Sequence, residues 1–491
     1  MHEPAHRFRS VSSLRLTLPE TWLGLAVALP VLGALITPLS ATDLAYHLRA
    51  GAEILATGTI PAADMWTFTV AGAPWADQQW GAQAVLAAVY QAGGWAGLFL
   101  LRAILVGATF GLLAVAAHRR NPALGQRTVA LIVLAAFVVA TPALALRPQL
   151  FGIALLALTL ALVADRGRHG RRLWLVPVIV IAWANLHGSF VLAPIVLGLA
   201  WLEDLHERTP RAVRTLLVAF VAALAAFINP LGPAVWGYAA GLSLDPSVTG
   251  RISEWQPLTL RDGPGLLFWA SVAVVLVLIA RRRATTPWPA LASLGSFALV
   301  AAYAARGLAW WPLVAAVVVA GLLPAAVPPG REPRRSTVNG LLVAAVLAVG
   351  LLVSPAWRAT DFGSGTPQGA VTGAPSGVTA ALRDIALPGD RLWNPQPWGS
   401  WFEFALPGLA VAVDSRIEII PEGIWTDFDA VRGVRSGWEA ILDRHGVTIV
   451  VTANGADSLL AGALATDPGW RQVRSDADGT IWVRANRPPV L

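Results

Sequence analysis

Asp43-Leu44-Ala45-Tyr46-His47-Leu48-Arg49-Ala50-Gly51, then Gly58-Thr59-Ile60-Pro61-Ala62-Ala63-Asp64, then Pro74-Trp75-Ala76-Asp77-Gln78-Gln79-Trp80, form one polar, tryptophan-rich stretch. It stands between the first two of about eleven apolar runs of membrane-spanning length. Polar and ionisable groups held at a bilayer boundary carry a free-energy cost unless they serve a task, so this stretch is where chemistry is sought first. Outward from it, the runs fall at 21–41, 95–117, 127–146, 148–164, 172–186, 189–205, 212–229, 264–280, 287–305, 307–327 and 337–355. The pattern predicts a polytopic α-helical membrane protein. With 56% hydrophobic and 13% charged residues, the composition excludes an ordinary soluble domain.

The formal net charge is +7, and all 36 basic residues are arginine. Most arginines of the membrane part cluster in alternate short loops: Arg119 and Arg120; Arg166, Arg168, Arg171 and Arg172; Arg208, Arg211 and Arg214; Arg281 to Arg283; Arg331, Arg334 and Arg335. That is the positive-inside signature of topology rather than of nucleic-acid binding. It predicts a cytoplasmic N-terminus, read as an uncleaved first span after Arg7, Arg9 and Arg15, with the first loop on the outer face of a bacterial inner membrane. Zero cysteines exclude disulfides and thiolate chemistry.

Residues 1–355 are thus expected to form the membrane part, with outer loop 42–94 carrying the site. Residues 356–376, rich in Gly, Ser, Thr and Pro, read as a linker. Residues 377–491 alternate strand-like runs with helix-like stretches and predict a small extracytoplasmic α/β domain.

Asp43 follows the first span, where a carboxylate can meet water on one side and a membrane-bound substrate on the other, the placement a base for a sugar hydroxyl needs. The plainer reading is a helix N-cap. His47, four residues on, faces the same side of a helix and could tune Asp43 or make a surface contact. The loop has neither a DxD nor an HxxxH spacing, so no metal or other cofactor is expected, though a divalent ion stays open. Asp64 and Asp77 are further loop acids. Asp77, Gln78 and Trp80 offer the polar and aromatic groups of a sugar site, whereas Trp66, Trp75 and Trp95 read first as interfacial belt residues. Outer-side clusters recur at Arg147-Pro148-Gln149, Asn185-Leu186-His187, Asn229-Pro230 and Ser253-Glu254-Trp255. Arg49, Arg147, Arg251, Arg261 and Arg306 break the topological pattern; they are candidates for an anion, or partners for acids such as Asp43 and Glu254.

The series Asp43…His47…Gly51…Gly58-Thr59-Ile60-Pro61…Asp64…Trp75…Trp80, with Asn185-Leu186-His187-Gly188-Ser189-Phe190, Asn229-Pro230-Leu231-Gly232, Glu254-Trp255, Trp398-Gly399-Ser400-Trp401 and Val413-Asp414-Ser415-Arg416, resembles a bacterial branch of the GT-C superfamily. These are polytopic glycosyltransferases that use polyprenyl-phosphate-linked sugars. The resemblance implies a catalytic acid in the first outer loop, which maps onto Asp43, with Asp64 or Asp77 as a second acid. It also implies carrier-phosphate binding near the outer face, which Arg147, Arg251, Arg306 and His187 could supply. The adjacent acid pair common in several GT-C groups is absent, since Thr42 precedes Asp43 and Leu44 follows. The expected function is sugar transfer from a polyprenyl-phosphate carrier to an envelope glycan, lipid or protein, with Asp43 as base. The alternative is a non-catalytic scaffold of the same shape that binds a polyprenyl lipid or an envelope partner. The expected substrate contacts are His47, Arg49, Gln78, Trp80, Arg147, Asn185, His187, Arg251, Glu254 and Arg306.

Overall fold

A computed structural model describes residues 15–283, 285–325 and 334–488. Arg7, Arg9, Arg331 and the last three residues of the tail lie outside the described residues.

Each of the eleven apolar runs carries a helix. Five helices are long and apolar enough to cross a membrane: Leu18–Ile36, Trp80–Arg120, Gln126–Ala143, Gly188–His206 and Gly263–Arg281. Five more apolar helices are shorter: Pro148–Ala164, Ala212–Ala225, Trp288–Tyr303, Trp311–Leu322 and Thr337–Val353. The first helix starts on a capping box in which Thr17 and Glu20 exchange hydrogen bonds, satisfying two orphan donors of its first turn. Its other end is closed by a side chain from the neighbouring helix. Arg102 donates to the carbonyl oxygens of Pro38 (2.9 Å), Ala34 and Thr37, so a charged group inside an apolar helix serves orphan acceptors.

The polar stretch is more ordered than a long loop. Ala41–Thr57 is a helix, stopped by Gly58 in the left-handed region (φ 69). A helix already begins at Trp80, ahead of the run expected from 95, because the sequence places small and apolar residues along 82–92 that pack inward: Ala82, Leu86 and Ala87 are buried. Gly94, at φ 55 and ψ −148, breaks helical geometry between this first part and the run expected from 95. The two helices approach closely at Gly51, where a Cβ would stand 2.0 Å from the Gln83 carbonyl oxygen.

The C-terminal segment holds a five-stranded sheet. With β1 (Leu39–Ser40) and β2 (Val371–Thr372) paired in parallel elsewhere, its strands are β3 (Arg391–Trp393), β4 (Ala410–Val411), β5 (Ile449–Ala453), β6 (Trp470–Ser475) and β7 (Gly479–Arg484). Their order is β4-β3-β5-β7-β6, parallel across β4, β3 and β5 and antiparallel onward. Helices Gln396–Ala405, Glu422–Arg432, Trp438–Arg444 and Ser458–Thr466 intervene. The segment expected as a linker is tied down: Leu39 N–H donates to Ala370 O at 2.8 Å, and β1 pairs with β2.

The sheet segment also grips the first polar stretch. Ser415 Oγ donates to Thr42 O (2.8 Å), Arg49 Nη1 donates to Glu403 O (2.8 Å), and Thr67 bridges to Val411. Trp401, fully buried, stands 6.5 Å from the Trp95 ring in the core.

Candidate functional site

A cavity of about 370 Å³ opens where the helix Ala41–Thr57, the start of Pro148–Ala164, the turn at His187, the segment 248–255, Arg306 and the tail residues 415–418 meet. These elements lie at the end of the helices opposite Arg119, Arg166 and Arg211. Asp43 is on the first turn of its helix, whose N-cap is Ser40. The N-cap reading of Asp43 is therefore replaced: the carboxylate turns to Arg147, 3.3 Å from Nη1.

Arg147 precedes Pro148, which starts its helix with a preset φ, so the guanidinium projects from a fixed helix entry. The same Nη1 meets Glu254 at 2.5 Å, and Arg306 Nε stands 3.5 Å from the other Glu254 oxygen. Arg306 also lies 5.0 Å over the Trp255 ring. Two guanidiniums and two carboxylates thus form a chain along one wall, with side-chain exposures of 15% (Arg147), 27% (Arg306), 38% (Asp43) and 33% (Glu254). Arg147 Nε has no hydrogen-bond partner among the described residues.

The cavity also carries neutral polar side chains. Burial, and after it Arg147, pushes His47 down to about 3, so the imidazole stays uncharged. Its Nδ1 has no partner among the described residues, nor does either amide atom of buried Gln149. His187 Nδ1 accepts from the Ser189 N–H at 3.1 Å and meets Ser189 Oγ at 2.7 Å, which assigns the ring proton to Nε2.

The tail adds Gln396, Ser415 and Glu418. Glu418 is exposed toward the cavity, and among the described residues no arginine or histidine pairs with it. Burial of the carboxyl within the protein, reinforced by Asp414 and Asp43, pushes it up to about 7. Tyr46 and Tyr238 complete the wall around it.

The structure gathers Asp43, His47, Arg147, His187, Arg251, Glu254 and Arg306 at this cavity and leaves the other sequence candidates elsewhere. Asp64 is fully buried. It accepts from Thr67 Oγ1 (2.6 Å) and pairs with Arg416 (2.6 Å), whose guanidinium also binds Asp414 and lies over the rings of Trp66 and Trp75, 4.3 and 4.7 Å from their centroids. Trp66 and Trp75 are therefore partners of this buried cation rather than belt residues. Asp77 accepts from Gln83 Nε2 (2.8 Å), and burial pushes it up to about 7. Gln78 donates to Ala184 O (2.6 Å), and Trp80 Nε1 donates to Asn185 Oδ1 (2.9 Å), so Gln78, Trp80 and Asn185 seal two helices together. Arg49 is held by Glu403 O and lies 4.9 Å over the Trp66 ring. Arg251 lines the cavity, yet both its terminal nitrogens reach tail acids, Glu422 and Asp429, at 3.1 Å.

Tyr238 and Gln396 are not candidates of the sequence. The run Asp414-Ser415-Arg416-Ile417-Glu418 follows a strand, where α/β sheets carry ligands, and reads either as a contact for an acceptor glycan or as an Asp–Arg structural pair; Asp414 and Arg416 form that pair, and Glu418 lines the cavity.

No protein-family model matches the chain, and no curated protein matches it. Solved structures that resemble it include the oligosaccharyltransferase of Archaeoglobus fulgidus in its apo form, at 12% identity and TM-score 0.51, covering 96% of this chain and 74% of that one. The same enzyme tethered to an acceptor peptide containing the NVT sequon matches at 12% identity and TM-score 0.55, over 95% of this chain and 74% of that one. The likeness shows a shared fold.

Proposed function

We propose that this protein transfers a sugar from a polyprenyl-phosphate carrier to an envelope acceptor at the outer face of a bacterial inner membrane. One observation carries the reading: Arg147 and Arg306 line a single cavity with Asp43 and Glu254, half screened from water, at the end of the helices where arginine is otherwise sparse. Nucleotide sugars are cytoplasmic as a rule, so a transferase facing outward draws on a donor carried by the lipid. A departing phosphate needs fixed cations, and guanidiniums held by carboxylates are oriented for it before the reaction begins. The acceptor hydroxyl attacks the anomeric carbon, the bond to the carrier oxygen breaks, and the configuration inverts in this single displacement. The proton leaves to a cavity carboxylate, for which the sequence nominates Asp43. The fold shared with an oligosaccharyltransferase supports the general class.

The test is a comparison of envelope glycans by mass spectrometry between a deletion strain and strains carrying Arg147→Gln or Asp43→Asn with normal membrane insertion. Loss of the same glycan in the deletion and Arg147→Gln strains is expected; an unchanged glycan profile in the deletion strain sinks the reading. The non-catalytic scaffold is favoured by one fact, that Asp43 already pairs with Arg147. It predicts that the cellular role survives substitution of every cavity carboxylate.

A further inference from the structure

Three acids border the cavity, Asp43, Glu254 and Glu418, and they differ in what holds them. Asp43 and Glu254 share the Arg147 guanidinium, and Glu254 reaches Arg306 as well. A carboxylate oxygen engaged by a guanidinium must give up that contact before it can take a proton. Glu418 has no such partner among the described residues. It sits in the short turn Ile417–Ile419, directly after Arg416, whose fully buried ion pairs with Asp64 and Asp414 fix that turn against the first polar stretch. Ser415 adds a hydrogen bond to Thr42 O, one residue before Asp43. The tail thus delivers an uncompensated acid to a cavity whose other acids are committed to cations.

We infer that Glu418, rather than Asp43, accepts the proton of the acceptor hydroxyl, with Asp43 acting as a positioning residue for Arg147. The inference rests on the glycosyl-transfer reading above. In the step, the hydroxyl oxygen bonds to the anomeric carbon, the electron pair of the carbon–oxygen bond leaves with the carrier phosphate, and the hydroxyl proton passes to the Glu418 carboxylate. The group is tuned for this: although the residue is open to the cavity, the protein around its carboxyl keeps water away and pushes it up to about 7, where a base is both partly ionised and strongly basic. The ionisable groups around it are Asp43 and Tyr46 from the helix Ala41–Thr57, Tyr238 from Ala234–Leu244, Asp77 from the loop, and Asp414 and Arg416 from its own segment. Arg251, from the segment before Glu254, borders the same cavity but is engaged by Glu422 and Asp429.

The experiment uses the full chain in lipid nanodiscs with hexosyl polyprenyl phosphate as donor and water as acceptor, reading free hexose released and, separately, donor binding. Glu418→Gln is expected to lower turnover about 10²–10⁴-fold with donor affinity unchanged. In the wild type the rate should fall as pH drops below about 7, when Glu418 takes up its proton, and this acid limb should persist in Asp43→Asn. Should Glu418→Gln fail to fold, Glu418→Ala with added formate replaces it; restored turnover supports the inference and no restoration overturns it. Wild-type turnover in Glu418→Gln, or an acid limb abolished by Asp43→Asn, overturns it while leaving the transfer reading intact. A wild-type protein that neither binds nor cleaves the donor overturns both.

Discussion

Two acid–arginine clusters draw on the first polar stretch, one through Asp43 and the other through Asp64, and use the same chemistry to opposite ends. Around Arg416 the side chains of Asp64, Asp414 and Glu403 are all 0% exposed, and the guanidinium lies against the rings of two tryptophans. Burial, and after it Asp414, holds the Glu403 carboxyl well above the usual range, so it keeps its proton and three acids do not confront one cation as three anions. Around Arg147 the partners are 33–38% exposed, and the pairs face a cavity. The difference teaches that access, more than pairing, decides what an ion pair is for. A closed pair cannot be exchanged without leaving a charge in low dielectric, so it fastens; an open one can trade a carboxylate for a phosphate, so it can bind.

The sharpest way to break this comparison is to remove the cation from each cluster. Arg416→Ala strands the buried Asp64 and Asp414 carboxylates and should destabilise the fold by about 3–5 kcal/mol. Arg147→Gln should cost under about 1 kcal/mol, because its partners reach water. Thermal unfolding in detergent checks both; equal losses would erase the distinction between the clusters.

Asp77 is an acid without an ion pair among the described residues, 7% exposed and with Oδ2 unpartnered there. Its folded-state value of about 7 exceeds the ordinary 3.8, so the native state binds more protons than the unfolded chain between those values. This contribution to stability is complete below about 3.8 and is lost as pH rises through about 7. Asp77→Asn should abolish that decline and gain on the order of 2 kcal/mol over the wild type at pH 8. Unfolding temperatures recorded from pH 5 to 8 decide it: parallel curves for the two proteins would show that Asp77 is ionised in the fold.

The open cluster is sharpened by its ligand. Arg147→Gln should weaken binding of bare polyprenyl phosphate in nanodiscs roughly 10–100-fold, the value of one charge-assisted contact. Unchanged affinity would move the phosphate away from this wall.

Much of this architecture is legible in the chain because lipid imposes a simple code: each apolar run is a helix, and the residues that interrupt the runs on one side converge on one cavity. Asp43, Arg147, His187, Glu254 and Arg306 were traceable through that shared sidedness. Arg49, Asp64, Gln78, Trp80 and Asn185 carry the same polar signature yet face seams, since partners such as Asp64 and Arg416 lie 352 residues apart and sequence does not display their pairing. Gly93-Gly94 does end a helix, with the run from 95 starting afresh after Gly94; what the sequence does not display is that the stretch from Trp80 to that point is helical as well. Glu418 was illegible for a third reason: its role depends on the tail folding back onto the first polar stretch.

Arg251 offers the smallest and most discriminating test. It borders the cavity and breaks the topological charge pattern just as Arg147 does, so by position alone it is an equal candidate for the phosphate. Its two terminal nitrogens, however, are taken by Glu422 and Asp429 on one helix, and its plane rests 4.8 Å over Trp425. Those acids are 63% and 41% exposed, which limits the stability at stake to about 0–1 kcal/mol. Arg251→Gln should therefore change both unfolding temperature and polyprenyl-phosphate affinity little, by less than about threefold in the latter. A loss as large as that of Arg147→Gln would mean that Arg251 turns from the tail helix to the ligand, and that this open ion pair, too, is exchanged for a phosphate.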